Sequence, residues 1–241
     1  MTMTSPETIG LAGTAPRHTV ARTYGNSGSL AFRCRANRFA HIRPLIERIV
    51  AENGRCRILD LGGTEYYWDI FGSYVADNPV EIDLVNLEAG TTRSSKIRSL
   101  AGDATDLGAF DDMSYDLVHS NSVIEHVGTW KQMMAMAANV RRLAPAYSVQ
   151  TPYFWFPVEP HFRVPAFQWM PEQVRARLLM RFNLGFGGRR HTLDAAMRAV
   201  QSAVLLDRRQ MIELFPDARI EAERFYGLTK SLMAIRDSAI R

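Results

Sequence analysis

Arg57-Ile58-Leu59-Asp60-Leu61-Gly62-Gly63-Thr64 (residues 57–64) is a short apolar run that stops at two glycines. It predicts a buried strand ending in a glycine turn. Glycine lets a backbone approach a ligand closely and takes positive φ at little cost. A turn from strand to helix also aims N–H groups at anything anionic. The acid inside this turn changes the reading. Asp60 would repel a pyrophosphate but suits an ammonium group, directly or through water. That favours a cofactor bearing an amino acid over a dinucleotide.

Further strands are expected downstream. Val80–Leu87 (VEIDLVNL) ends at Glu88, Ile97–Leu100 leads into Gly102-Asp103-Ala104, and Tyr115–Ser120 and Tyr147–Thr151 follow. Residues 129–143 form an amphipathic helix broken at Ala144-Pro145. Alternating strands and helices argue for an α/β fold with a mostly parallel sheet and helices on both faces. Arg219–Phe225 and Ser231–Ile235 form a closing hairpin, an antiparallel addition at one edge that carries the antiparallel last strand. Residues 171–206 read as helical, interrupted by Leu184–Gly188, and 207–215 as a short helix ending at Pro216. Upstream, residues 30–53 have helical spacing, with Pro44 separating two helices or opening the second, and Asn53-Gly54 as a turn. Residues 1–26 are expected to be a mobile arm or lid, and 27–241 a single domain with a helical insertion at about 165–206.

At 241 residues the chain is long enough to bury a substantial core. Net charge is +4, and the cations are nearly all Arg, the lysines being Lys96, Lys131 and Lys230. No basic stripe with interleaved aromatics appears, which argues against nucleic acid. Two cysteines, Cys34 and Cys56, are too few for a disulfide framework. No apolar run reaches the ~18 residues of a membrane span. The opening residues lack a basic-then-apolar signal, so the expected location is cytoplasmic. No metal-ligand pattern is seen; Asp111-Asp112 precedes its strand and reads as a solvated turn.

In such sheets ligands bind at the carboxyl ends of strands, near the point where strand order reverses. Glu88 is placed to accept both ribose hydroxyls of an adenosine cofactor, and the competing Asp83 falls within its strand. Asp103 is placed to accept the adenine amine, with the Ala104 N–H facing a ring nitrogen. The segment Tyr115-Asp116-Leu117-Val118-His119-Ser120-Asn121-Ser122-Val123-Ile124-Glu125-His126-Val127 is more specific. With it, the chain resembles a class I S-adenosylmethionine-dependent methyltransferase of the branch carrying Val-Ile-Glu-His-Val after the fourth strand. The resemblance covers about 55–150 and returns at Leu206–Arg236, where Phe215-Pro216-Asp217-Ala218 precedes the last strands. It implies a Rossmann-like seven-stranded sheet, S-adenosyl-L-methionine as cofactor and S-adenosyl-L-homocysteine as product.

Carried over by residue, Asp60, Gly62 and Gly63 resemble the first cofactor motif. Glu88 resembles the ribose acid, and Asp103 with Ala104 the adenine contact. Asn121 and Ser122 resemble the floor beneath the methionine portion, and Glu125 and His126 the pair beside the reacting centre. This chain departs from Gly-x-Gly-x-Gly: after Gly63 come Thr64, Glu65 and the bulky Tyr66-Tyr67-Trp68.

Methylation of a hydroxyl needs a base, and histidine suits that near neutral pH. His126, after the fourth strand, and His161, in the loop after the fifth, are the candidates; His119 reads as core. The aromatic loop Tyr153–Trp169 suits either an apolar or planar small-molecule pocket, or packing and a homodimer surface. Arg163, Arg189, Arg190 and His191 suit an anionic group or solvent. An Asn/Asp-Pro-Pro-aromatic motif of base-modifying enzymes is absent, which lowers DNA or RNA as substrate. The expected function is O-methylation of a small metabolite. The alternatives are a nicotinamide-dependent oxidoreductase, which predicts a Gly-x-Gly-x-x-Gly this chain lacks, and a non-catalytic cofactor-binding subunit.

Overall fold

The computed structural model describes residues 30–237, without the side chains of Leu30, Ala31, Arg33 and Cys34. The expected arm at 1–26 lies outside the described residues. The described residues divide into two compact units, residues 158–202 and the remainder.

The larger unit is built on a seven-stranded sheet. Its strands are β1 (Cys56–Leu61), β2 (Val80–Asn86), β3 (Ile97–Ala101), β4 (Leu117–Asn121), β5 (Ala146–Pro152), β6 (Arg219–Phe225) and β7 (Leu228–Arg236). Their order is β3-β2-β1-β4-β5-β7-β6. The first five run parallel, and β7 is antiparallel to both β5 and β6. The α/β sheet with an antiparallel last strand matches the reading from sequence. Strand order reverses between β1 and β4, where Asp60 pairs with His119. A dinucleotide-binding sheet has the order 3-2-1-4-5-6, so the inserted antiparallel β7 sets this sheet apart.

Central strands carry residues buried on both faces, as parallel strands must. Ile58, Leu59 and Leu61 of β1 are fully buried. One face joins Met133, Met136, Val140 and Leu143 of helix α4 (Trp130–Leu143) to the core. The other face meets helix α1 (Leu30–Asn53) through Phe39, Ile42, Ile46 and Ile49.

The structure corrects the expectation at Pro44, because α1 runs through it without a break. A mid-helix proline costs ~3 kcal/mol in a lost hydrogen bond and a ring clash. An apolar stripe on both sides of it, from Phe39 to Ile49, is buried and holds the helix together. Among the described residues, no helix is long and apolar enough to cross a membrane.

The smaller unit contains helices α5 (Glu172–Arg181) and α6 (Leu193–Gln201). Phe167, Ala176, Leu179, Ala196, Ala199 and Val200 form its core. The aromatic run is thus not one wall: Phe167 is fully buried, with Phe162 at 4.7 Å, whereas Trp155 and Trp169 are exposed. Leu184–Gly188 is non-helical, as its glycines suggest.

Candidate functional site

The glycine turn after β1 is locked by its neighbours. Gly62 has φ +71°, its N–H donates to the Val85 carbonyl at 2.8 Å, and an added Cβ would lie 2.4 Å from Val123. At Gly63 an added Cβ would lie 1.8 Å from Asp60 Oδ2. The Asp60 carboxylate therefore presses directly beneath the turn. It is 1% exposed, and its Oδ2 accepts from the Trp68 indole N–H at 2.9 Å. Its Oδ1 is buried with no hydrogen-bond partner. Burial pushes Asp60 up to about 7, and the Trp68 bond pulls the other way.

Glu88 stands exposed just past the end of β2. Asp83, its competitor in sequence, is buried within β2, accepting from Arg98 at 2.7 Å and from the Tyr115 hydroxyl at 2.8 Å. Burial alone would raise Asp83; the bonds to Arg98 and Tyr115 outweigh it and hold it low. Asp103 is exposed after β3, and its Oδ1 accepts from the Thr105 N–H and hydroxyl, both at 2.8 Å. The Ala104 carbonyl accepts from Asn139 at 3.0 Å, fixing this turn to α4.

At the ends of β4 and β5 the structure adds residues that the sequence reading missed. Arg38 of α1 donates through Nη1 to Asn121 Oδ1 at 2.8 Å and to Gln150 Oε1 at 3.0 Å. Its Nε and Nη2 both reach Glu223 Oε2, at 3.1 and 2.9 Å. The Ser122 hydroxyl donates to Gln150 Oε1 at 2.9 Å, with Ser122 itself at φ +59°. Burial would raise Glu223, but the Arg38 charge, the Ser231 hydroxyl and the Arg38 bonds together hold it low. One signal did exist in the sequence: Arg38 stands on the same helical stripe as Ile42, Leu45 and Ile49, a cation among core positions.

Ile124–His126 forms one 3-10 turn after β4. Glu125 is fully buried; its Oε2 accepts from the Thr151 hydroxyl at 2.9 Å, and its Oε1 has no hydrogen-bond partner. His126 is half-buried. His119 is core, as expected: burial pushes it down to about 3, and Tyr67 stacks on it at 5.2 Å.

His161 belongs to the smaller unit. Its Nδ1 meets Glu159 Oε1 at 2.7 Å, and Glu159 Oε2 accepts from the Phe162 N–H at 2.6 Å. A carboxylate facing Nδ1 requires Nδ1 to carry the proton, which makes Nε2 the basic nitrogen. The arginines read as suiting an anionic group or solvent have neighbours within this unit. Arg163 lies over Phe186, Arg189 donates to the Met180 carbonyl at 2.7 Å, and Arg190 to the Gly187 carbonyl at 2.6 Å.

Polar groups thus gather where β1, β2, β3, β4 and β5 end, and two buried carboxylates among them, Asp60 and Glu125, each carry an unsatisfied acceptor. An orphaned acceptor on Asp60, beneath a turn with no room for a Cβ, fits the ammonium of an amino-acid-bearing nucleoside.

Residues 61–145 match the family model described as a methyltransferase domain. No curated protein matches the chain in sequence. Among solved structures, magnesium protoporphyrin IX methyltransferase from Synechocystis PCC 6803, with bound S-adenosylhomocysteine, is similar at TM-score 0.50 and 14% identity, over 91% of this chain and 93% of that one. A CurJ carbon methyltransferase aligns at TM-score 0.48 and 12% identity, over 76% of this chain and 48% of that one. A methyltransferase of an antibiotic biosynthesis pathway in Anabaena variabilis aligns at TM-score 0.43 and 18% identity, over 76% of this chain and 64% of that one. The chain thus spans about half to two thirds of the last two. Residues 61–145 thus carry the match to the methyltransferase-domain family, on a fold that the chain shares with a solved methyltransferase.

Proposed function

We propose that this chain methylates a hydroxyl of a small-molecule acceptor, using S-adenosylmethionine. The observation that carries the reading is the unpaired Asp60 Oδ1 beneath the Gly62-Gly63 turn, at the strand-order reversal. When bound, the cofactor supplies a sulfonium methyl group, and S-adenosylhomocysteine is left.

Asp60 takes the ammonium and the Gly62-Gly63 backbone borders the amino-acid portion. Glu88 accepts from the ribose hydroxyls. Asp103 serves the adenine amine through the oxygen that Thr105 does not hold, with the Ala104 N–H beside it. Asn121 and Ser122 form the floor under the methionine portion, fixed there by Arg38 and Gln150. A hydroxyl acceptor must lose its proton, and His126 and His161 are the two candidate bases. Much of the acceleration in such a displacement comes from positioning.

Calorimetry with S-adenosylhomocysteine tests the cofactor assignment: micromolar binding is expected, with Glu88→Ala weakening it. An absence of binding at millimolar concentration overturns the reading. Labelled S-adenosylmethionine with a metabolite extract then reports the acceptor class. With a 13C-labelled methyl group, the carbon chemical shift of the product separates an O-methyl ether from N- or C-methyl; a product lacking an O-methyl resonance overturns the hydroxyl assignment.

A further inference from the structure

The glycine turn runs directly into helix α2 (Glu65–Asp69), whose Trp68 is buried and bonded to the Asp60 carboxylate. Trp68 is 2% exposed and is fixed by edge contacts to Tyr67 at 5.4 Å and His119 at 5.7 Å. Its indole N–H points at Asp60 Oδ2, so the carboxylate is held between indole and glycine turn, one oxygen bonded and the other not.

We propose that Trp68 is the positioning residue of the cofactor's ammonium subsite: its N–H holds Asp60 Oδ2 and turns Oδ1 toward the ammonium, directly or through one water. This rests on the cofactor assignment proposed above. The physical case lies in the choice of donor. Indole is a neutral, donor-only group. It orients a carboxylate and favours its ionised form without cancelling its charge. An arginine or lysine in that place would pair with Asp60 and compete with the incoming ammonium. Leaving one oxygen of a buried carboxylate without a donor is costly, and an ammonium removes that cost through a charge-assisted bond.

The test compares two ligands on the full chain by calorimetry. S-adenosylhomocysteine carries the amino acid; 5′-methylthioadenosine shares the adenosine and sulfur but lacks it. Trp68→Phe keeps a ring and removes the N–H. It is expected to weaken S-adenosylhomocysteine about tenfold, as loss of one such bond would, and to leave methylthioadenosine unchanged. In an Asp60→Asn background, Trp68→Phe should cause no further selective loss.

Equal weakening of both ligands, or of neither, overturns the proposal. A second measurement needs no variant to fold. The assigned indole 15N–1H resonance of Trp68 in the unaltered protein should shift on adding S-adenosylhomocysteine but not methylthioadenosine. Shifts with both, or with neither, count against it. If the unaltered protein binds neither ligand, the cofactor assignment itself fails. If it binds both and Trp68→Phe does not discriminate, Trp68 alone loses its role.

Discussion

Arg38 and Glu223 are 185 residues apart in sequence, and the Arg38 guanidinium places two nitrogens on one Glu223 oxygen, at 3.1 and 2.9 Å. Both side chains are nearly buried, at 11% and 10% exposure. The pair ties the first described helix to β6, and through Asn121 and Gln150 to the ends of β4 and β5.

Removing one member strands the other's charge. Arg38→Met is expected to cost ~3 kcal/mol, the scale for breaking a buried pair, read from urea unfolding. Replacing both, Arg38→Met with Glu223→Met, should recover most of that loss. A single-variant cost under ~1 kcal/mol would place the pair with exposed ones.

The turn glycines make a second expectation. Gly62→Ala combines positive φ with a clash on Val123 and should cost about 2 kcal/mol or more in a thermal melt. Gly54 also has positive φ, at +75°, but nothing lies within 4 Å of an added Cβ. Gly54→Ala should therefore cost only the conformational strain, ~1 kcal/mol. Equal losses at the two sites would show that contact with Val123 does not matter.

Two facing buried groups set opposite pH slopes. Asp60 is pushed up to about 7 by burial, from an unfolded value near ~3.9. Between those values the folded chain holds the extra proton, so its contribution to stability falls as pH rises. His119 is pushed down to about 3, also by burial, from 6.5. There the unfolded chain holds the extra proton, and stability rises with pH. From about pH 4 to 6.5 the two slopes cancel, at ~1.4 kcal/mol per pH unit each. Asp60→Asn leaves His119 alone. Its stability should climb by ~2 kcal/mol more than the unaltered protein's between pH 4.5 and 6, in urea titrations without cofactor. A parallel pair of curves would contradict this.

The candidate bases are separable by kinetics once an acceptor fraction is in hand. His126→Gln and His161→Gln should differ: the true base loses kcat by about 100-fold or more, with cofactor affinity intact. Loss in neither would point to an acceptor that needs no deprotonation.

Much of the fold was legible because its signals are local. The run ending at Leu61, the alternating strands and helices, and the closing hairpin each depend on residues close in sequence. The helix stop at Asn53 before Gly54 is a local signal of the same kind. The α/β sheet and its antiparallel last strand follow from that pattern. Glu88 and Asp103 follow apolar runs that become β2 and β3, and they stand exposed just past those strands. Pro44 reads as a helix break because its penalty is local, whereas the buried apolar stripe that carries the helix through it continues on both sides. What only the tertiary structure decided depends on groups brought together from afar. Arg38 meets Asn121, Gln150 and Glu223 across 83 to 185 residues. The Asp60 carboxylate, visible in sequence as an acid in a glycine turn, gained its charge state and its Trp68 partner from burial. Sequence names the ionisable group, but its environment sets how that group ionises and bonds, and that environment exists once the sheet has assembled.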